Sequence, residues 1–216
     1  MPENLRPAAV ERLAADIRRR GVALTTGYVG TQFSLDVLAE AGLTDLVYSL
    51  LLRTEFPSWG YMFRHGGTTL WETWKGYEEV SGQIVAALQN HFGLGSICLF
   101  LFRRVAGIDA GMPRFETIVV RPALDARVKR GGGDYDSIVG RISTDWKMAS
   151  NGHFTLEVTL PANTTAQVHL PARRNGRIEE GGRRSRVARV CECSVAVSTR
   201  PSLKCNRLAK SPSGAG

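Results

Sequence analysis

The sequence predicts an α+β chain organised as two domains and a tail, and three observations carry that reading. Over residues 1–110 apolar side chains recur every three or four positions, the spacing of a helix face turned to a core. From about residue 114 the repeat falls to two, the spacing of a strand with one buried face. Beyond residue 172 both repeats vanish and charge takes over. Residues 173–216 hold eleven Lys or Arg against three Asp or Glu, so the formal charge of +8 resides there and residues 1–172 are neutral overall. A hydrophobic fraction of 43% over 216 residues suffices for a packed core in the first two zones.

Residues 1–110 are expected to be helices joined by ordered loops. Pro7 suits the first position of a helix and Gly21 its end, bracketing residues 8–20, where Val10, Leu13, Ala14 and Ile17 share one face. A second helix is expected over 33–41, closed by Gly42. Thr44 can cap a third, with Leu46, Val47, Leu50 and Leu51 as its buried stripe, and Pro57 bars continuation. A last helix over 96–106 is apolar nearly all round, which predicts deep burial, with Cys98 as a small buried hydrophobe.

The second domain is expected over 111–172. Phe154, Leu156, Val158 and Leu160 alternate with Thr155, Glu157 and Thr159. Asn151-Gly152 just before them is a hairpin turn, returning from a strand over 138–147. Ala166, Val168 and Leu170 alternate again, and 114–121 is a fourth strand candidate. Four or more antiparallel strands with tight turns predict a β-sandwich or part of one. Asn163-Thr164-Thr165 reads as turn chemistry.

Residues 173–216, rich in Arg, Ser and Gly, are expected to be a disordered basic tail. A nucleic-acid site would set aromatic or groove-fitting elements beside the charge; none stands there, so no nucleic-acid partner is expected. Cys191, Cys193 and Cys205 lack a nearby His and make no zinc pattern, so no metal or other cofactor is expected. The start of the chain has no basic segment followed by an apolar one, and the apolar run near 97–102 is far too short to cross a bilayer. The expectation is a cytoplasmic chain without a membrane partner; its oligomeric state stays open.

The densest group of ligand-handling side chains lies in 57–77, which holds three of the four Trp and two of the five Tyr. Indole and phenol rings offer flat faces that stack on the apolar side of a sugar, while their polar edges reach hydroxyls. Trp59, Tyr61, Trp71 and Trp74 are the candidates, and Glu72 is the carboxylate in their midst. Glycoside hydrolysis uses two carboxyls, one protonating the leaving oxygen and one acting on the opposite face of the ring. Glu72 suits either role. It equally suits a local capping or pairing role among structural tryptophans. His91, at the entrance to the last helix, is either a structural hydrogen-bonding group or part of a site; Arg64 and His65 carry the same ambiguity.

Several motifs resemble bacterial α-L-rhamnosidases of glycoside hydrolase family 78, in the family's order. They include Leu24-Thr-Thr-Gly-Tyr-Val-Gly-Thr31, Leu38-Ala-Glu-Ala-Gly-Leu-Thr-Asp45 and Thr54-Glu-Phe-Pro-Ser-Trp-Gly-Tyr-Met62. Thr68-Thr-Leu-Trp-Glu-Thr-Trp74, Asn90-His-Phe-Gly-Leu-Gly-Ser96 and Arg103-Arg-Val-Ala-Gly-Ile108 come next, and the likeness continues to residue 172. The resemblance implies the C-terminal portion of a six-hairpin α/α barrel, followed by an antiparallel β-sandwich. It implies an inverting hydrolase releasing terminal α-L-rhamnose from glycosides or oligosaccharides. Glu72 is then similar to the family's general base and His91 to a sugar-contacting residue. Trp59, Tyr61, Trp71 and Trp74 would line or support the pocket.

Residues 78–89 match the family poorly, and Cys98-Leu99-Phe100 stands where the family has a Gly-Glu-Trp-like segment. The family's general acid lies upstream of anything resembling residues 1–30, so a fragment of weak or absent activity is expected. The likeness is expected to stop at Ala172, where charge and cysteine content jump. This favours a shifted reading frame over 173–216 and an internal start at Met1. The alternative reading is a carbohydrate-binding or accessory remnant of the same family.

Overall fold

The computed structural model describes residues 2–170 and the backbone of 177–180, 183–186, 190–195 and 202–206. Two compact units divide the chain between Phe100 and Leu101, ten residues before the boundary read from the sequence. Ile108–Ala110 is a strand that pairs with Thr117–Val120 and so belongs with the sheets of the second unit.

The first unit carries α1 (Arg6–Arg19), α2 (Tyr28–Glu40), α3 (Thr44–Leu51) and α4 (Trp59–Arg64). Pro7 lies at the start of α1, where its missing N–H costs no hydrogen bond. Helices α1, α2 and α4 end alike: Gly21, Gly42 and Gly66 turn left-handed, with φ of +72°, +80° and +80°. The next residue's N–H then returns to a carbonyl five back, as in Val22 to Ile17 at 2.9 Å and Leu43 to Leu38 at 2.9 Å. Helix α2 begins five residues earlier than expected. Gly27 takes the capping position, and the Thr31 and Ser34 hydroxyls donate to the Gly27 and Gly30 carbonyls within the helix. Thr44 opens α3 rather than capping it, since Leu43 accepts the first helical bond from Val47.

The last helix departs most from expectation. It is divided into α5 (Phe92–Gly95), α6 (Ile97–Phe100) and a wide π turn, Leu101–Ala106. Leu99, Leu101 and Phe102 are 55%, 41% and 40% exposed, and Cys98 is exposed as well. Over 97–106 the buried side chains are Phe100, Arg104 and Ala106, so the run is apolar on more sides than its described neighbours cover. A hairpin not read from the sequence, β1 (Tyr77–Val80) with β2 (Gln83–Ala86), turns at Ser81 and Gly82, both at positive φ.

The second unit holds β3 (Ile108–Ala110), β4 (Thr117–Val120), β5 (Arg130–Ser137), β6 (Gly140–Met148), β7 (His153–Thr159) and β8 (Thr164–His169). Four more strands complete it: β9 (Arg177–Glu180), β10 (Arg183–Arg186), β11 (Val190–Val195) and β12 (Ser202–Asn206). One sheet has the order β10-β9-β12-β7-β6-β5 and the other β11-β8-β4-β3. Inward residues of both make one core: Ile118 and Val120, Ile142 and Trp146, Phe154, Leu156 and Val158, Ala166 and Val168. This is the period of two realised, with Trp146 facing Leu156 across β6 and β7.

One expectation is corrected in this unit. The pairing is not wholly antiparallel, because β4 and β8 run parallel: the chain leaves β4 for the β5–β7 meander of the other sheet before returning. Within 173–216 the described residues are four strand segments. Of these, β11 and β12 pair with β8 and β7, supplying partners to backbone N–H and C=O groups that would otherwise form bare edges. The rest of the expected tail lies outside the described residues.

Candidate active site

Two segments of the first unit are clasped by backbone hydrogen bonds. His91 N–H donates to the Leu70 carbonyl at 2.9 Å, Glu72 N–H to Leu88 at 2.8 Å and Ala87 N–H to Gly76 at 3.1 Å. The β1–β2 hairpin continues this clasp outward from Tyr77 and Ala86. The stretch that matched the family least in sequence is thus the connection that sets Glu72 beside His91.

Glu72 Oε1 lies 3.9 Å from His91 Nε2, and the two side chains are 31% and 15% exposed. That separation is too long for a direct hydrogen bond but short enough for a shared small ligand or charge pairing. His91 Nδ1 accepts the Gly93 N–H at 3.0 Å, capping α5. In the neutral ring the proton therefore belongs on Nε2, the nitrogen that faces Glu72. Phe92 stacks on the imidazole at 4.8 Å between centroids, and Tyr28 meets it edge-on at 5.4 Å.

The tryptophans divide by burial. Trp71 is buried against Gly76, where an added Cβ would stand 2.7 Å from the indole. Trp59 is also buried, donating Nε1–H to the Leu94 carbonyl at 3.0 Å and meeting Trp74 in a T-shaped contact at 5.1 Å. Trp74 is half-buried and donates to the Thr26 carbonyl at 3.0 Å. Met62, Trp71 and Leu94 form the local core, with Tyr61, Leu70 and Trp74 against it. Trp59 and Trp71 therefore have their faces spent on packing. Tyr61 is half-buried with its ring 3.9 Å from His65.

Arg64 donates to Glu55 at 3.1 Å, and His65 Nδ1 lies 2.9 Å from the Tyr61 carbonyl, so both have structural partners. Sequence reasoning missed Tyr28 and Phe92 as neighbours of His91. The signal for Tyr28 was hidden because α2 was read as starting after it. A cavity of about 890 Å³ opens elsewhere, between α1 and α2, lined by residues such as Val10, Leu13, Val37 and Leu43. It has no residue in common with the Glu72 cluster. Among the described residues no group of three His, Cys, Asp or Glu could hold a metal, and no helix is long and apolar enough to cross a membrane.

Comparison with known proteins decides the family. Residues 1–105 match the model for the bacterial alpha-L-rhamnosidase 6 hairpin glycosidase domain, and 107–185 that for the bacterial alpha-L-rhamnosidase C-terminal domain. The chain belongs to the bacterial α-L-rhamnosidase family.

Its relatives in that family include an α-L-rhamnosidase of Streptomyces avermitilis, 36% identical over 181 residues, which are 83% of this chain and 18% of the relative. A second, from Alteromonas sp., is 33% identical over 174 residues, 80% of this chain and 19% of the relative. The chain thus spans about a fifth of the length of these rhamnosidases. Among solved structures, the S. avermitilis α-L-rhamnosidase complexed with L-rhamnose superposes with a TM-score of 0.82 at 33% identity, covering 94% of this chain and 20% of that one. The α-L-rhamnosidase from Dictyoglumus thermophilum gives 0.77 at 25% identity, covering 88% and 22%. The C-terminal family match runs to residue 185, thirteen residues past the point where the sequence reading expected the likeness to stop.

Proposed function

We propose that Glu72 is the general base of an inverting α-L-rhamnoside hydrolase site and that His91 contacts the sugar beside it. The observation that carries this reading is the 3.9 Å approach of Glu72 Oε1 to His91 Nε2 in a half-open setting, in a chain of the α-L-rhamnosidase family. A base in this chemistry removes a proton from water on the face of the sugar opposite the leaving oxygen. It must be ionised, open to a water molecule and fixed in direction, and the Glu72–Leu88 hydrogen bond fixes its backbone. Its acid partner stands roughly 6.5–9.5 Å away in an inverting pair. Trp74 and Tyr61 flank the rhamnosyl ring, and the buried Trp59 and Trp71 support that wall.

In this reading the first unit is the C-terminal portion of a six-hairpin α/α barrel and the second a largely antiparallel β-sandwich. Two sheets closing on one core support the latter. The ligands are rhamnose-containing glycosides or oligosaccharides, and turnover by this chain alone is weak because Glu72 supplies one half of the carboxyl pair. The test is hydrolysis of an aryl α-L-rhamnoside by the chain and by Glu72→Gln. Any turnover should fall by about 10²–10⁴-fold in the variant, the usual contribution of a positioned base. Undiminished turnover in Glu72→Gln would remove the assignment, and rhamnose binding with no turnover in either form would favour the non-catalytic remnant.

A further inference from the structure

We propose that Tyr28 and Gly93 are positioning residues that hold the His91 imidazole in one tautomer and one plane, so that Nε2–H is the edge presented to Glu72. This rests on the reading of Glu72 and His91 as the site, and it adds two residues with no assigned role.

The two ring nitrogens of His91 have different surroundings. The Gly93 N–H, 3.0 Å from Nδ1, occupies that nitrogen's lone pair. A proton on Nδ1 would face the amide hydrogen, so the neutral ring carries its proton on Nε2. The backbone can come this close because residue 93 has no side chain. A Cβ there would stand 2.9 Å from His91 Nδ1 and 2.4 Å from Tyr28 Cβ. Both distances are shorter than real Cβ contacts allow, so any larger residue forces His91 or Tyr28 to move.

Tyr28 works from the other side. Its ring meets the imidazole edge-on at 5.4 Å with planes 63° apart, while Phe92 stacks at 4.8 Å with planes 23° apart. Two aromatic neighbours in these orientations oppose rotation of the imidazole about its long axis. Tyr28 is 40% exposed and opens α2, so core burial does not account for its ring. Gly27 ahead of it caps the helix in extended geometry and fixes where Tyr28 begins. The clamp thus joins the start of α2 to the start of α5, with the imidazole between them.

The test is the tautomer itself. Long-range ¹⁵N–¹H spectra of the four histidines, recorded at about pH 8.5 where an ordinary imidazole is neutral, are compared in the full chain and four variants. His91→Asn assigns the resonances, and its amide oxygen can still accept from Gly93. In the unaltered chain and in Tyr28→Phe, His91 should show a protonated Nε2 and an unprotonated Nδ1. In Tyr28→Ala and in Gly93→Ala the two nitrogen shifts should move toward each other, with His153 and His169 unchanged as a control for folding. L-Rhamnose affinity, measured on the same samples, should weaken about tenfold in those two variants, the scale of one lost hydrogen bond.

Unchanged His91 nitrogen shifts in both Tyr28→Ala and Gly93→Ala would overturn the clamp. A tautomer that responds as expected in a chain that does not bind L-rhamnose in any form would leave the clamp standing and remove the functional reading beneath it.

Discussion

Trp146 and His169 show how single residues of the second unit can be tested apart from the site. Trp146 is fully buried and donates its indole N–H to the Val105 carbonyl at 2.7 Å. Its ring lies over Gly131, where a Cβ would come within 2.7 Å. Trp146→Ala removes the largest side chain of that core and should cost about 3–5 kcal/mol in denaturant unfolding. His169 is held below its ordinary value of 6.5, first by burial and then by the nearby positive charge of Arg121. Folding therefore favours its neutral form: the associated stability is complete above pH 6.5 and is lost as pH falls through the lowered value. Unfolding midpoints measured from about pH 8 down to pH 5 should decline less steeply in His169→Gln than in the unaltered chain. Asp125 has the acid-side counterpart: hydrogen bonding to Arg127 lowers it from 3.8, so its contribution holds above pH 3.8 and disappears only in stronger acid.

At this scale Glu72 and His91 were legible as candidates because a carboxylate between tryptophans and the Asn-His-Phe motif both carry chemistry in the sequence. The roles of the tryptophans were not. An indole looks the same in a sequence whether its face meets a sugar or a glycine. Only the contacts of Trp71 with Gly76, and of Trp59 with the Leu94 carbonyl, show that these two rings are engaged in packing.

Among the elements, the clasp between 69–76 and 86–91 matters most, because its ladder sets the spacing of Glu72 and His91. Gly76 is its weak point. It sits at φ +75°, and an added Cβ would run into Trp71 at 2.7 Å. Gly76→Val should therefore cost about 1–3 kcal/mol through strain and overpacking, read as a lowered thermal midpoint with altered tryptophan fluorescence. Gly82→Ala, at the hairpin tip with open space around it, shares the positive φ without the clash and should cost less.

The elements read well wherever a side chain announces them. Pro7, Gly21 and Gly42 mark helix ends by their backbone chemistry, and the alternation through Phe154, Leu156 and Val158 marks β7. Strand β5 escaped notice because Gly131, Gly132 and Gly133 erase the apolar period. Their role is space: Gly131 for Trp146, and Gly132 against the Thr144 carbonyl, 2.2 Å from where a Cβ would be. The β1–β2 hairpin escaped because all eight of its strand residues are exposed, so no buried face patterned it. The helix over 96–106 was misjudged for a related reason. Apolar composition reports what a segment can bury, and Leu99 and Cys98 remain exposed among the described residues.

The whole molecule combines a helical unit that carries the candidate site with a two-sheet unit that has its own core. The division into helical and β zones was visible in the change of period from about four to two, and the family in a series of ordered motifs. The strand segments within 173–216 carry no such period. Strand pairing there runs through backbone groups, and high positive charge suggests solvation even where β9 to β12 join the sheets. In the first unit, Glu72 and His91 together form the proposed site for L-rhamnose, and direct binding is the sharpest way to challenge it. The chain is titrated with L-rhamnose while the His91 imidazole and Trp74 indole N–H signals are followed by nuclear magnetic resonance. Saturable shifts are expected at both groups, matched by the same Kd, with loss of the Trp74 shift in a Glu72→Ala, His91→Ala double variant. Saturable binding that leaves His91 unmoved, or that survives intact in the double variant, would contradict the assignment.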